Sequence, residues 1–381
     1  MPVRPGLEVL LGDSASLIAG RRVGLVTNQT GVDRAGAHGI DRLLREGVAL
    51  TAILSPEHGL RGIAAPGEHV PSSIDSATGL PIYSIYGATF SPTPEMLANV
   101  DVILIDLQDV GARYFTWLAT TVAVMEAAVL ERKPVVVLDR PNPIGGAVQG
   151  NVLDPAFSST VGRIAVPMRH GLTLGELARL AAHDLGLGAE LHVVPVAGWR
   201  RAAAYDALGL PFVQPSPNLR DLEALFHYPG TCLFEGTALS VGRGTDAAFR
   251  QVGAPWLDTT RVLERLREHR LPGVRFSAVH FTPRNPGDRK YADTLLPGIR
   301  LTLLDAGSYD PTAAAVTLLS VIHEIHPDQI GFNPRGFDRL AGTSTLREAI
   351  ERGQAPASIV ASWQPALKEF RRRVRPWLIY R

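Results

Sequence analysis

The chain has 381 residues, more than one hydrophobic core usually serves, so two domains are expected. Hydrophobic residues make up 45% and charged residues 20%, and the formal net charge is +1; this is the balance of a globular protein, with no global field for nucleic acid. A single cysteine, Cys232, excludes an intramolecular disulfide and a Cys-based zinc cluster.

The N-terminus "MPVRPGLEVLLGDS" lacks the basic segment and long apolar core of a signal peptide. No window approaches the roughly 18 apolar residues of a membrane span. A cytoplasmic protein without a span is expected. "RRVGLVTN" then reads as a buried strand and "HGIDRLLREG" as a helix. "VALTAIL" is a strand, followed by a long polar loop. "LPIYSIYG" is a strand, "TPEMLANV" a short helix and "DVILIDL" a strand. "YFTWLATTVAVMEAAVLERK" is a long helix and "PVVVLDRP" a strand. Continuous apolar runs suit parallel strands covered on both faces, so an α/β doubly wound, mostly parallel sheet is expected over residues 1–150.

After Pro143 the pattern loosens. "PIGGAVQGNVLDPAFSST" reads as a linker or lid. In "TLGELARLAAHDLGLG", Thr173 and Glu176 form a capping box, so Glu176 is structural. "ELHVVPV" is a strand, and "SPNLRDLEALFHYPG" holds a helix that Asn218 can cap. "TTRVLERLREHR" (helix), "VRFSAVHFTP" and "GIRLTLLD" (strands), "PTAAAVTLLSVIHEIH" and "ASIVASWQPALKEFRRRV" (helices) complete a mixed α/β domain over residues 151–381. The cleft between the two is the expected pocket. The basic run "KEFRRRVR" reads as a solvated helix face.

Ligands of open α/β sheets bind beyond the carboxyl ends of the strands. Those ends carry Asn28, Glu57 and His58, then Asp106, Gln108 and Asp109, and finally Asp139 and Asn142. Glu57 and His58 lie in "SPEHG", a loop fixed by Pro and Gly, where burial at a cleft can bring a pKa towards working pH. In "DLQDVGARYFTW", Asp109 either caps the following helix or binds ligand. Gln108 can hydrogen-bond a hydroxyl or amide, Arg113 can fork onto a carboxylate, and Tyr114 adjoins them. "VPMRHG" adds Arg169 and His170. "CLFEGTALSVGRGT" reads as an apolar strand ending at Glu235, followed by Arg243; it lacks the pattern of a P-loop or dinucleotide fingerprint. Cys232 reads as a buried small hydrophobe. "HEIH", at His323–His326, is not a metalloprotease motif and reads as packing.

"GLVTNQTGVD", "LSPEHGLRG", "IDLQDVGARYFTW", "VLDRPNPIGG", "PMRHGLTLGELA", "PSPNL" and "FEGTALSVGRGT", in this order, resemble the bacterial exo-β-N-acetylmuramidase family over nearly the whole chain. The resemblance implies a Rossmann-like N-terminal domain, a smaller C-terminal α/β domain and an active site between them. It implies release of terminal N-acetylmuramic acid from the non-reducing end of peptidoglycan fragments, disaccharides or muropeptides, with no metal or cofactor. Glu57 matches the glutamate of the Ser-Pro-Glu-His-Gly motif, the candidate catalytic acid; His58, His170 and Glu235 fall on matching motif positions. The second group is Glu235, or the sugar's own acetamide oriented by Asp106 or Asp109. Arg113, Arg169 and Arg243 are candidates for the lactyl carboxylate. Asn28, Gln108, Asn142 and Asn218, with Tyr114 and Asp139, complete the expected binding set. A non-catalytic sugar- or nucleotide-binding module, and a metal-dependent hydrolase using Asp106, Asp109 and His58, are the alternatives.

Overall fold

The computed structural model describes residues 2–65 and 67–381. Strands β1 (Val23–Thr27), β2 (Leu50–Ser55), β3 (Ser73–Ile74), β4 (Pro81–Ser84), β5 (Val102–Asp106) and β6 (Val135–Leu138) come first. A hairpin of β7 (Gln149–Val152) and β8 (Pro167–Arg169) follows, then β9 (Leu191–Val194). Seven of these form one sheet in the order β3-β4-β2-β1-β5-β6-β9, parallel except at the edge pair β3–β4.

Strands β1, β5 and β6 are buried at every position, which their apolar runs require of a sheet covered twice. Alternate residues feed two cores. Leu25, Ile53, Leu104 and Val136 pack with helices α1 (Gly6–Asp13) and α2 (Gly39–Arg45). Val26, Leu54, Ile105 and Val137 share the other core with α3 (Pro94–Leu97), α4 (Trp117–Leu130) and α5 (Leu174–Asp184). The capping box at Thr173 and Glu176 is formed.

The second unit contains α6 (Leu222–Thr231), β10 (Gln251–Gly253), α7 (Thr259–Leu266), β11 (Val274–Phe281), β12 (Leu296–Leu303), α8 (Pro311–Ile325), α9 (Pro334–Ala341), α10 (Thr345–Glu351), α11 (Pro356–Ser362) and α12 (Gln364–Arg373). Its three strands pair antiparallel in the order β10-β12-β11. The α4–α5 core runs without a break into Leu233, Phe249, Leu318 and Phe337, so the two units share one apolar interior. Among the described residues no helix is long and apolar enough to cross a membrane.

Several expectations are revised. The sheet does not end near residue 150: β9 pairs with β6, and the Gly-rich stretch supplies β7 before α5 crosses over. Asn218 does not cap α6; Asp221 does, accepting from Ala224 N at 2.7 Å. "CLFEG" is a 3-10 turn, Cys232–Gly236, rather than a strand. The last long helix is two, because Pro365 cannot donate to a preceding turn and α12 restarts at Gln364. Helix α1 was not read from the sequence, since its apolar residues lie among Pro and Gly.

The chain terminus returns to the first sheet. Asp139, fully buried, accepts from Thr173 Oγ1 at 2.7 Å, Gly175 N at 2.9 Å and Tyr380 Oη at 2.6 Å. Glu176 Oε1 accepts from Ile379 N at 2.9 Å. The expectation that Asp139 contacts substrate is therefore revised: its oxygens anchor α5 and the C-terminal segment at Tyr380.

Burial raises the Asp139 carboxyl to about 6, against the pull of its three donors. A raised folded-state pKa contributes stability that is full below the unfolded value and lost as pH rises through about 6. The difference in unfolding free energy between wild type and Asp139→Asn, followed by denaturant titration, should thus fall by about 2 kcal/mol from pH 4 to pH 7.

Candidate active site

The sheet order reverses between β1 and β5, where ligands usually bind in such folds. Here that crevice is filled. Tyr205, Leu210, Pro211 and Val213 close over Thr30, Gln108 and Arg140, and leave about 10 Å³, room for about one water.

Most polar groups around this closed crevice are paired within the chain, but the buried Asn28 Nδ2 has no partner among the described residues. Asp106 forms a buried two-pronged pair with Arg140, at 2.6 and 2.9 Å. Gln108 Nε2 donates to the carbonyls of Asp109 at 2.7 Å and Pro141 at 2.9 Å. Asn28 Oδ1 accepts from Thr30 N at 2.9 Å and Oγ1 at 2.6 Å. Asn142 Nδ2 donates to Leu172 O at 2.9 Å, and its Oδ1 accepts from Ile144 N at 3.1 Å. Asp106, Gln108 and Asn142 hold rim loops rather than facing a ligand, which corrects their expected role as substrate readers, whereas Asn28 holds its loop through Oδ1 and keeps Nδ2 free among the described residues. The reason is general: irregular backbone in an interior needs partners.

Five more expected residues are also interior. Asp109 Oδ1 accepts from Gly111 N at 2.7 Å and lies 3.5 Å from His170 Nε2. His170 Nδ1 accepts from Leu172 N at 3.1 Å, so its proton is on Nε2, towards Asp109. Both are almost fully buried, and His170 is thus a packing group rather than an exposed base. Tyr114 donates to Pro229 O at 3.0 Å. Arg169 donates to Gln149 Oε1 at 2.9 Å and to Ile144 O, and burial lowers it to about 10. Arg113 donates to the carbonyls of Asn151 (2.8 Å), Val166 (3.1 Å), Leu340 (3.1 Å) and Ala341 (2.8 Å). Neither arginine offers its fork to a ligand. His58, Asp106 and Asp109 do not meet as a metal site; among the described residues no group of three His, Cys, Asp or Glu does.

A different set converges at the ends of β2 and β4. Past Ser55 the chain turns at Pro56, with Gly59 N donating to Pro56 O at 3.1 Å. His58 adopts φ +68°, a costly region for a side-chain-bearing residue. It is held there by Ala64 O, 2.8 Å from Nδ1. This turn presents Glu57 to the cleft, half-buried. Its Oε2 accepts from Thr116 Oγ1 at 2.9 Å, and its Oε1 from Gly67 N at 3.1 Å. The Tyr86 hydroxyl lies beside it; burial and the Glu57 charge push that hydroxyl up to about 12.

The second unit supplies the opposing groups. Arg243 Nε donates to Glu235 Oε1 at 2.5 Å, and its guanidinium lies 5.1 Å from the Phe249 ring centre. Burial opposes the Arg243 charge, but the Glu235 carboxylate outweighs it and raises the arginine further. Lys290 Nζ donates to the carbonyls of Glu235 (3.1 Å), Thr237 (2.7 Å) and Leu239 (3.0 Å), fixing the turn that carries Glu235. Burial pushes the Cys232 thiol well up, as an inert packing thiol requires. Asn218 is half-buried in the turn Ser216–Leu219, next to Gln214, whose carbonyl accepts from Gln29 Nε2 at 2.8 Å. The two clusters meet electrostatically at His58. Burial lowers its pKa, Glu57 raises it, and Arg243 lowers it.

Of the expected residues, the structure brings together Glu57, His58, Glu235 and Arg243. Tyr86, Thr116 and Lys290 were missed. Tyr86 follows the carboxyl end of β4, the same signal that marked Glu57; Thr116 was inside a quoted motif; Lys290 had no signal, because it acts on carbonyls distant in sequence.

Residues 23–223 match the model described as exo-β-N-acetylmuramidase NamZ, N-terminal, and residues 226–380 its C-terminal counterpart. The two models meet at the start of α6. The chain is 41% identical over 381 residues to the peptidoglycan β-N-acetylmuramidase NamZ of Bacillus subtilis, covering 99% of this chain and 91% of that one. Two crystal structures of DUF1343 family proteins from Bacteroides fragilis superpose on it. One has a TM-score of 0.91 at 33% identity, the other 0.81 at 30%, each over 100% of this chain and 99% of its own.

Because Glu57 raises the His58 pKa, Glu57→Gln should lower it further. The pH titration of the His58 ring-proton NMR signals reads this directly; an unmoved or raised value would contradict the geometry.

Proposed function

Because the chain belongs to the exo-β-N-acetylmuramidase family, we propose that it is a glycosidase that releases terminal N-acetylmuramic acid from the non-reducing end of peptidoglycan fragments, with Glu57 as proton donor. The observation that carries the assignment of Glu57 is its setting. It is a half-buried carboxyl gripped by Thr116 and Gly67, in one cluster with a second carboxylate, Glu235.

Glycoside cleavage requires a proton on the leaving oxygen and a second group for the anomeric carbon. Glu57 gives its proton to the bridging oxygen. Negative charge then grows on Glu57, where the Thr116 hydroxyl and the Gly67 N–H are already aimed. Donors whose interaction strengthens as the charge forms stabilise the transition state more than the ground state. Glu235 takes the second role, since Asp106 and Asp109 are tied to Arg140 and to Gly111 and His170. Arg243 orients Glu235 through Nε, which leaves its two Nη groups for the lactyl carboxylate of the muramic sugar. His58 fixes the turn that aims Glu57.

Glu57→Gln should reduce kcat/KM on N-acetylmuramyl-β-1,4-N-acetylglucosamine by about 10²–10⁴-fold. The loss on para-nitrophenyl β-N-acetylmuramide should be smaller, because that leaving group needs less protonation. Equal turnover by variant and wild type on the disaccharide would move the acid elsewhere. For Arg243→Ala, the expected outcome is loss of preference for aryl muramides over aryl N-acetylglucosaminides, by about 10–100-fold in the ratio of kcat/KM. A ratio unchanged from wild type would remove Arg243 from lactyl recognition.

A further inference from the structure

A groove of about 480 Å³ opens beside Glu57, and neither Arg243 nor Glu235 is among the residues that line it. Its near end is formed by Thr116, which donates to Glu57 at 2.9 Å, and Tyr86, whose hydroxyl lies beside the same carboxyl. It continues along α4 past Ala123, seven residues and about 10 Å of helix from Thr116. The Glu126–Arg163 ion pair, at 2.8 Å, lies at its far end. Phe90 forms a wall, 56% exposed, with its ring edge-on to Tyr86 at 5.2 Å between centres. Nothing in the fold accounts for so open an aromatic at this place. Ser159 Oγ, also at the wall, has no partner among the described residues.

We infer that this groove, walled by Tyr86 and Phe90, holds the leaving sugar of the substrate, the N-acetylhexosamine on the far side of the scissile bond. The inference rests on the reading of Glu57 as proton donor. An acid must stand beside the bridging oxygen, so the two sugars lie to either side of it. Arg243 and Glu235 mark the side of the released sugar. The leaving sugar then lies over Thr116 and Tyr86, and the groove is continuous with that position. The groove's chemistry fits such an occupant. Aromatic faces take the apolar C–H face of a pyranose, while hydroxyls and an ion pair around them suit its hydroxyl groups and acetamide. The groove is open past α4, so the sugar can carry further chain.

The test compares two substrates, the disaccharide N-acetylmuramyl-β-1,4-N-acetylglucosamine and para-nitrophenyl β-N-acetylmuramide, in wild type, Phe90→Ala and Ala123→Trp. Phe90 is exposed, so its truncation leaves the core intact; Ala123→Trp fills the groove without touching Glu57, and thermal melts confirm folding. In both variants the ratio of kcat/KM on the disaccharide to that on the aryl glycoside should fall about tenfold or more, mainly through KM. Product inhibition by N-acetylglucosamine should weaken in parallel. An active wild type whose ratio and product inhibition are unmoved in both variants overturns the groove assignment alone. A folded wild type with no turnover of either substrate overturns the glycosidase reading, and this inference with it.

Discussion

The Arg113 guanidinium is buried without a carboxylate partner, and four backbone carbonyls solvate it. Two belong to the hairpin side of the first unit, Asn151 and Val166. The other two, Leu340 and Ala341, end α9, where carbonyls have no partner within the helix and the helix dipole is negative. This single cation therefore binds the second unit to the first. Both halves of the cleft depend on it. Thr116, which grips Glu57, is three residues beyond Arg113. Helix α9 packs on the turn that carries Glu235, so closely that a Cβ on Gly236 would come within 2.5 Å of Phe337. A charge placed this deep costs several kcal/mol unless it is hydrogen-bonded, and since Nε has no partner among the described residues, the four carbonyls on Nη1 and Nη2 carry its whole compensation.

The same economy of partners explains why most polar residues at the sheet rim are silent. A doubly wound sheet carries its loops to one edge, and in this chain segment 205–213 covers the part of that edge where β1 and β5 diverge. Once covered, Asp106, Gln108 and Asn142 are interior groups and each is paired, while Asn28, also interior, keeps its Nδ2 without a partner among the described residues. The open part of the rim is displaced towards β2 and β4. There Glu57, Tyr86 and Thr116 keep partial exposure, and a His at positive φ stores the strain that points Glu57 outward.

Opposite charges act together at the site: Arg243 holds Glu235, and the Glu57 carboxylate and the Arg243 cation act in opposite directions on His58, which burial lowers. Lys290 adds a second cation whose charge is directed at carbonyls rather than at the carboxylates. Held by donors from fixed backbone, the two glutamates occupy distinct environments. Glu57 has hydroxyl and amide donors, and Glu235 has a guanidinium. Two carboxyl groups held in different surroundings are the arrangement in which one can act as acid and the other as base or nucleophile.

The sequence by itself determined the sheet. Period and apolar runs locate β1, β2, β4, β5 and β6, the capping box of α5 and the loop holding Glu57, because each is a local signal that burial on both faces reinforces. The motifs, taken in order, also carried the family. What they could not separate was a rim residue that meets ligand from one that meets only its own chain. Arg113, Arg169 and Arg243 look alike in sequence, and so do Asp106 and Glu235. Their difference lies in what other segments bring: the carbonyls of α9 for Arg113, Arg140 for Asp106, and the cleft for Arg243 and Glu235. The contacts of Arg113 and Asp106 span tens to hundreds of residues along the chain, so no local pattern encodes them, and only the tertiary structure decided which polar groups were left free.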